Sequence, residues 1–123
     1  MELTPALAKR ILIDTATKHG AKHEADKILL ALAEQRAFLF VSKTGDGFVI
    51  VSFKGPLCWI DFAYCENACA IRRYLGELLD IATHFKCYSI GFETKRKGYF
   101  KIMPGYGFRC VKSHDDVYEW RLG

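Results

Sequence analysis

A chain of 123 residues, half of them hydrophobic and 26% charged, has the composition of a globular protein and not of a disordered one. That length fits a single domain, 1–123, burying roughly two-thirds of its unfolded surface. A formal net charge of +4 is far from the charge density of a dedicated nucleic-acid binder; it reads as a solvated surface, with no nucleic-acid partner expected.

Five cysteines, Cys58, Cys65, Cys69, Cys87 and Cys110, make an odd number. Three lie in apolar runs, where a thiol behaves as a small hydrophobe. With no leader legible at Met1–Leu3, the expected compartment is a reducing cytoplasm, as a soluble protein. No apolar stretch approaches the roughly 18 residues that span a bilayer, so no membrane is expected.

Thr4-Pro5 is a helix start, and Leu7, Ala8, Ile11, Leu12 and Thr15 follow at helical spacing until Gly20 stops them. Ala25, Ile28, Leu29, Leu32 and Ala33 form the stripe of a second helix. From Ala37 the pattern turns to strand. Phe38–Ser42 and Phe48–Phe53 flank Gly45-Asp46-Gly47, whose glycines can take the positive φ of a tight hairpin. Leu57–Tyr64 is a third strand, apolar on both faces apart from Asp61. A helix is expected from Asn67, with Ile71, Tyr74, Leu75, Leu78, Ala82 and Phe85 on one face. Cys87–Glu93 is the next strand, and Thr94–Gly98 a basic connection. Tyr99–Met103 reads as a short helix before Pro104-Gly105. Phe108–Lys112 and Val117–Leu122 close the chain as an antiparallel pair around Ser113–Asp116.

This order, α-α-β-β-β-α-β-α-β-β, is similar to that of the GNAT N-acetyltransferase superfamily with the first strand missing. The run Phe100-Lys-Ile-Met-Pro-Gly-Tyr-Gly-Phe108 resembles the family's short helix entering a Gly-Phe, and Tyr118–Leu122 its last strand. The resemblance covers about 37–122, and the small size is similar to diverged members encoded by bacteriophages. It implies an α/β fold with a mixed, mostly antiparallel sheet of about six strands flanked by helices. It also implies acetyl-CoA as the cofactor of an active member.

In the family, glycines in the turn before the central helix let backbone N–H groups approach the cofactor pyrophosphate. Here that turn is Cys65–Gly76, and the glycine positions hold Arg73 and Leu75. The family's Asn corresponds to Arg96, and its proton-donating Tyr to Met103, with Tyr99 and Tyr106 nearby. The resemblance therefore implies Cys65, Asn67, Arg72, Arg73 and Arg96 as cofactor-binding candidates. Asp61 and Glu93 are the candidate bases and Tyr106 the candidate acid.

Each candidate also has a plainer reading. Asp61 and Glu93 suit hydrogen-bonded or edge-exposed carboxylates. Arg72 and Arg73, early in a helix, suit either an anion site or two solvated cations with Glu77 one turn on. The run Lys95-Arg96-Lys97-Gly98-Tyr99-Phe100-Lys101 interleaves cations and aromatics as nucleic-acid surfaces do, but a solvated loop followed by core aromatics explains it as well. Cys65-x-x-x-Cys69 is one pair where structural zinc uses two, so no metal is expected. With the glycines, the Asn and the Tyr all replaced, the sequence reads as a binding or assembly module with a degenerate cofactor site. Its expected partner is a protein, in a phage particle or a host. The alternative is an acetyl-CoA-dependent N-acetyltransferase with an arginine-based phosphate loop.

Overall fold

The computed structural model describes residues 3–66 and 69–123. It holds a six-stranded mixed sheet in the order β1-β2-β3-β4-β6-β5, with five helices and a 3-10 turn. The chain divides into two compact units, Met1–Ser52 with Asp61–Tyr74, and Phe53–Ile60 with Leu75–Gly123.

In the first unit, α1 (Pro5–Lys18) starts where Thr4 Oγ1 accepts the Leu7 N–H at 3.2 Å, and gives way to Gly20 at φ 69°. After α2 (Lys22–Ala33), a hairpin is built from β1 (Phe38–Val41) and β2 (Gly47–Lys54). Its register pairs Phe38 with Val51 and Val41 with Phe48. Ala8, Ala16 and Ala25 are buried with Leu12, Phe48 and Ile50 in one core; their small side chains bring helix backbones close. Phe48 is fully buried, its ring 5.7 Å from those of Phe62 and Tyr64.

β3 (Leu57–Cys65) begins in the second unit and ends in the first. It ends one residue later than its apolar run suggests. In the second unit, Leu57–Trp59 pair in parallel with Ser89–Gly91 of β4 (Ser89–Thr94). β4 pairs antiparallel with β6 (Val117–Leu122), which pairs in turn with the edge strand β5 (Arg109–His114).

Other expected boundaries are corrected. The single helix expected from Asn67 is two: α3 (Ala70–Arg73) and α4 (Leu75–His84), interrupted at Tyr74, and Asn67 lies outside the described residues. The interruption falls beside Gly76, a poor helix former, at a side chain held elsewhere by its hydroxyl. Phe85, expected on the apolar face, lies past the helix end and is exposed, with its ring 4.6 Å from Phe53. The fourth strand starts at Ser89 and not Cys87, because Lys86 at φ 59° and the Tyr88 N–H, bonded to the Pro56 carbonyl, belong to the connection. The last hairpin turn contracts to Asp115-Asp116, both at positive φ, so strand continues through His114.

α5 (Tyr99–Ile102) and the 3-10 turn Met103–Tyr106 precede Phe108. Phe92 packs edge-on against Tyr99 and Phe108. Trp120 is 1% exposed, with Phe100 edge-on at 4.9 Å and its Nε1 buried without a hydrogen-bond partner among the described residues. Trp120→Phe removes that unsatisfied donor but leaves part of the indole's space empty. It is expected to cost less in denaturant unfolding than Trp120→Ala, for which about 3–5 kcal/mol is expected.

Candidate functional site

In the first unit, the turn from β3 into α3 is tied to the turn of the first hairpin. Ser42 opens that turn and accepts the Gly45 N–H on its carbonyl at 3.0 Å, with Gly45 at φ 73°. Asp46 then points its carboxylate back into the turn. Ser42 Oγ donates to Oδ1 at 3.2 Å, Thr44 Oγ1 donates to the same oxygen, and the Tyr74 hydroxyl donates to it at 2.6 Å. An Arg73 guanidinium nitrogen reaches Oδ2 at 3.4 Å. Cys65 Sγ sits 3.2 Å from the Tyr74 hydroxyl, closing the cluster from the end of β3.

Position 47 is glycine for a different reason from position 45. A Cβ there would overlap the Tyr64 carbonyl oxygen and the Tyr74 hydroxyl, and would come within 2.7 Å of Tyr74 Cε2. The backbone of β2 must pass this closely for Tyr74 to reach Asp46.

The charges follow from these partners. Hydrogen bonds from Thr44, then from Tyr74 and Ser42, hold the Asp46 carboxyl well below the usual carboxylate range. Burial, then the bond to Asp46, pushes the Tyr74 hydroxyl far above its usual range. The Asp46 carboxylate raises Arg73. Arg73 and Asp46 are both partly solvated, so the ion pair by itself adds little stability. The buried Tyr74, 4% exposed, is the firmer link.

The structure thus brings Cys65 and Arg73 of the expected site residues into one cluster and leaves Arg72 exposed beside it. Arg73 has Asp46 as its partner, 27 residues away in sequence, where Glu77 was the partner considered. Asp61 is half-buried on β3 in the same unit. Asn67 falls outside the described residues. The others lie in the second unit: Glu93 exposed on β4, Arg96 exposed with its backbone N–H on Thr94 Oγ1 at 3.1 Å, and Tyr106, 37% exposed, ending the 3-10 turn. Met103, where the family resemblance placed a Tyr, is fully buried. Glu93 lines a cavity of about 260 Å3 with Lys112, His114, Asp115, Val117 and Glu119. Among the described residues, no three His, Cys, Asp or Glu side chains converge as a metal site, and no helix is long and apolar enough to cross a membrane.

Sequence reasoning missed Asp46, Ser42, Thr44 and Tyr74 as one cluster. The available signal was local: Ser-x-Thr-x-Asp across a tight turn is the spacing at which short polar side chains bond one another. Nothing local connects that turn to Tyr74.

No family model matches the sequence, and no curated protein matches it. Solved structures do match its fold, and the class they define is the GNAT-like fold. An aminoglycoside 6'-acetyltransferase type Ii superposes with a TM-score of 0.65 at 11% identity, over 98% of this chain and 93% of that one. A protein assigned to the GNAT acetyltransferase family from Desulfovibrio desulfuricans gives 0.61 at 13%, over 98% and 94%. The PaiA N-acetyltransferase of Thermoplasma acidophilum, crystallised with coenzyme A, gives 0.59 at 12%, over 98% and 79%. At these identities the likeness is one of fold.

Proposed function

We propose that the chain is a GNAT-fold module that works by binding a protein partner, with its cofactor turn converted into a structural clasp. The observation that carries this reading is the commitment of Arg73 and Tyr74 to Asp46. A pyrophosphate needs exposed donors and no competing negative charge. At this turn the arginine standing at a glycine position is paired with a carboxylate, which would itself repel the phosphates. The described residues of the turn therefore fit the cofactor poorly. In this reading the protein is an assembly component of a phage particle or a host-directed binding protein, resident in the host cytoplasm or the virion, and 1–123 acts as one domain.

Calorimetric titration with acetyl-CoA at millimolar concentration is expected to give no saturable binding, a Kd weaker than about 1 mM. Stoichiometric micromolar binding would overturn the proposal. Detection in purified virions, or stable capture of a host protein, tests the partner.

One observation favours a second reading, an active N-acetyltransferase: the Glu93 carboxylate lines a cavity, as a base for an amine acceptor would. Asp61 and Tyr106 would then be the other acid–base candidates, and Cys65, Asn67, Arg72, Arg73 and Arg96 the residues toward acetyl-CoA. Release of free thiol from acetyl-CoA in the presence of amines, lost in Glu93→Gln, would establish it.

A further inference from the structure

Between Glu93 and Asp115 the chain carries six Lys or Arg residues and no Asp or Glu. Four of them, Lys95, Arg96, Lys97 and Lys101, lie within seven residues, all exposed. None makes an ion pair or a side-chain hydrogen bond among the described residues. This is costly crowding of like charge on a short loop. Glu93, two residues before Lys95, alternates onto the other face of β4 from Phe92 and Thr94 and lines the cavity with Lys112 and Glu119.

The aromatics of this segment are not all core. Phe100 is 46% exposed on α5, between Tyr99 and Lys101. Its ring is fixed edge-on against Tyr118 and Trp120, each 4.9 Å away. On the same sheet face, opposite Tyr118 and Trp120 in the ladder, stand Ser113 and Cys110 of the exposed edge strand β5. A ring clamped by two others and still open on one side is a platform with little rotamer freedom left to lose on binding.

We infer that this surface binds single-stranded nucleic acid, with the four cations following the phosphates and Phe100 stacking a base. The pairing of a rigid exposed ring with unpartnered cations is what single-strand binding requires. An acidic peptide would use the cations alone and leave the ring without a role. Phosphate contacts and stacking read no base edge, so the binding tolerates any sequence.

Fluorescence anisotropy with a labelled oligothymidylate of about 20 nucleotides, in about 50 mM salt, tests the inference on the full chain. Saturable binding is expected, weakening linearly in log K against log salt. Lys95→Gln/Lys97→Gln/Lys101→Gln, which leaves the packing intact, is expected to reduce that slope by about 2, at roughly 0.7 for each phosphate no longer neutralised. Phe100→Ala is expected to weaken binding about tenfold or more, and Phe100→Tyr to retain it; circular dichroism of both variants separates this loss from misfolding. No binding by the wild type overturns the inference, as does a slope unchanged in the triple variant. A poly-glutamate peptide that competes as well as the oligonucleotide, with binding of both indifferent to Phe100→Ala, assigns the surface to an acidic protein instead and overturns it equally.

Discussion

Gly47→Ala is expected to destabilise the protein by about 3 kcal/mol, at the upper end of what overpacking costs, because one of the atoms in the way is backbone. The Tyr64 carbonyl oxygen cannot swing aside as a flexible side chain can, and the Tyr74 ring is pinned by its hydroxyl on Asp46. Relief requires β2 and the end of β3 to part, which would pull the hairpin turn off Tyr74. Gly45→Ala has open space around it and only its φ of 73° to oppose it, so its expected cost is about 1 kcal/mol. Urea unfolding of the two variants checks the order; a Gly47 variant as stable as the Gly45 variant would remove the close-approach argument. The proposal that 1–123 acts as one domain predicts a single unfolding transition for both variants.

Tyr74→Ala is expected to cost about 3–5 kcal/mol, the range for emptying a buried aromatic site. Tyr74→Phe keeps the ring and loses only the hydroxyl, so its effect is smaller and shows in the pH dependence. Asp46 has a folded pKa depressed by its hydrogen bonds. Its contribution is therefore present above the ordinary carboxylate value of about 3.9 and is lost as pH falls below it. Tyr74 has a raised pKa, so its contribution is present below its ordinary value of about 10 and is lost as pH rises beyond it. Stability of the wild type should decline at both extremes. Asp46→Asn should flatten the acid limb, and Tyr74→Phe the alkaline one. Parallel curves for wild type and variants from pH 2 to pH 11 would contradict the hydrogen-bond assignments.

The fold was legible where periodicity is strong and local. Leu12 and Ile28 stand on helical stripes, Phe48 and Ile50 in a continuous β-branched and aromatic run, and the glycines of the first hairpin punctuate between them. Element order alone was enough to suggest the GNAT-like arrangement. What the sequence concealed depends on partners distant along the chain. Tyr74 sits on an apolar stripe that continues smoothly to Leu78, so periodicity gave no sign that helix would break there. The break follows from a hydroxyl bonded 28 positions back, to Asp46. The site was legible in its chemistry and not in its connections. Cys65 and Arg73 stood out as departures from a glycine turn, yet their shared neighbour Asp46 looked like an ordinary turn residue. Phe100 was ambiguous for another reason: an aromatic beside lysines reads alike whether its ring is buried or half outside.

The two compact units are not consecutive halves of the chain. Each is made from stretches separated in sequence by the other, and β2 and β3 both carry the chain across the boundary. Synthesis from the N-terminus therefore delivers them out of step. The first unit has all its residues once Tyr74 has been added. By then Phe53–Ile60 has already emerged as an orphan of the second unit, whose remaining strands lie 15 or more residues further on. Until β4 arrives, Cys58, destined for complete burial, has no sheet neighbour on that side. A cut after Tyr74 keeps every residue of the first unit but takes Phe53–Ile60 from the second, and a cut before Phe53 takes Asp61–Tyr74 from the first, so no single cut leaves both units intact. The interleaving makes the nascent chain most vulnerable to proteolysis and mispairing in its middle, between the completion of the clasp and the arrival of the last hairpin.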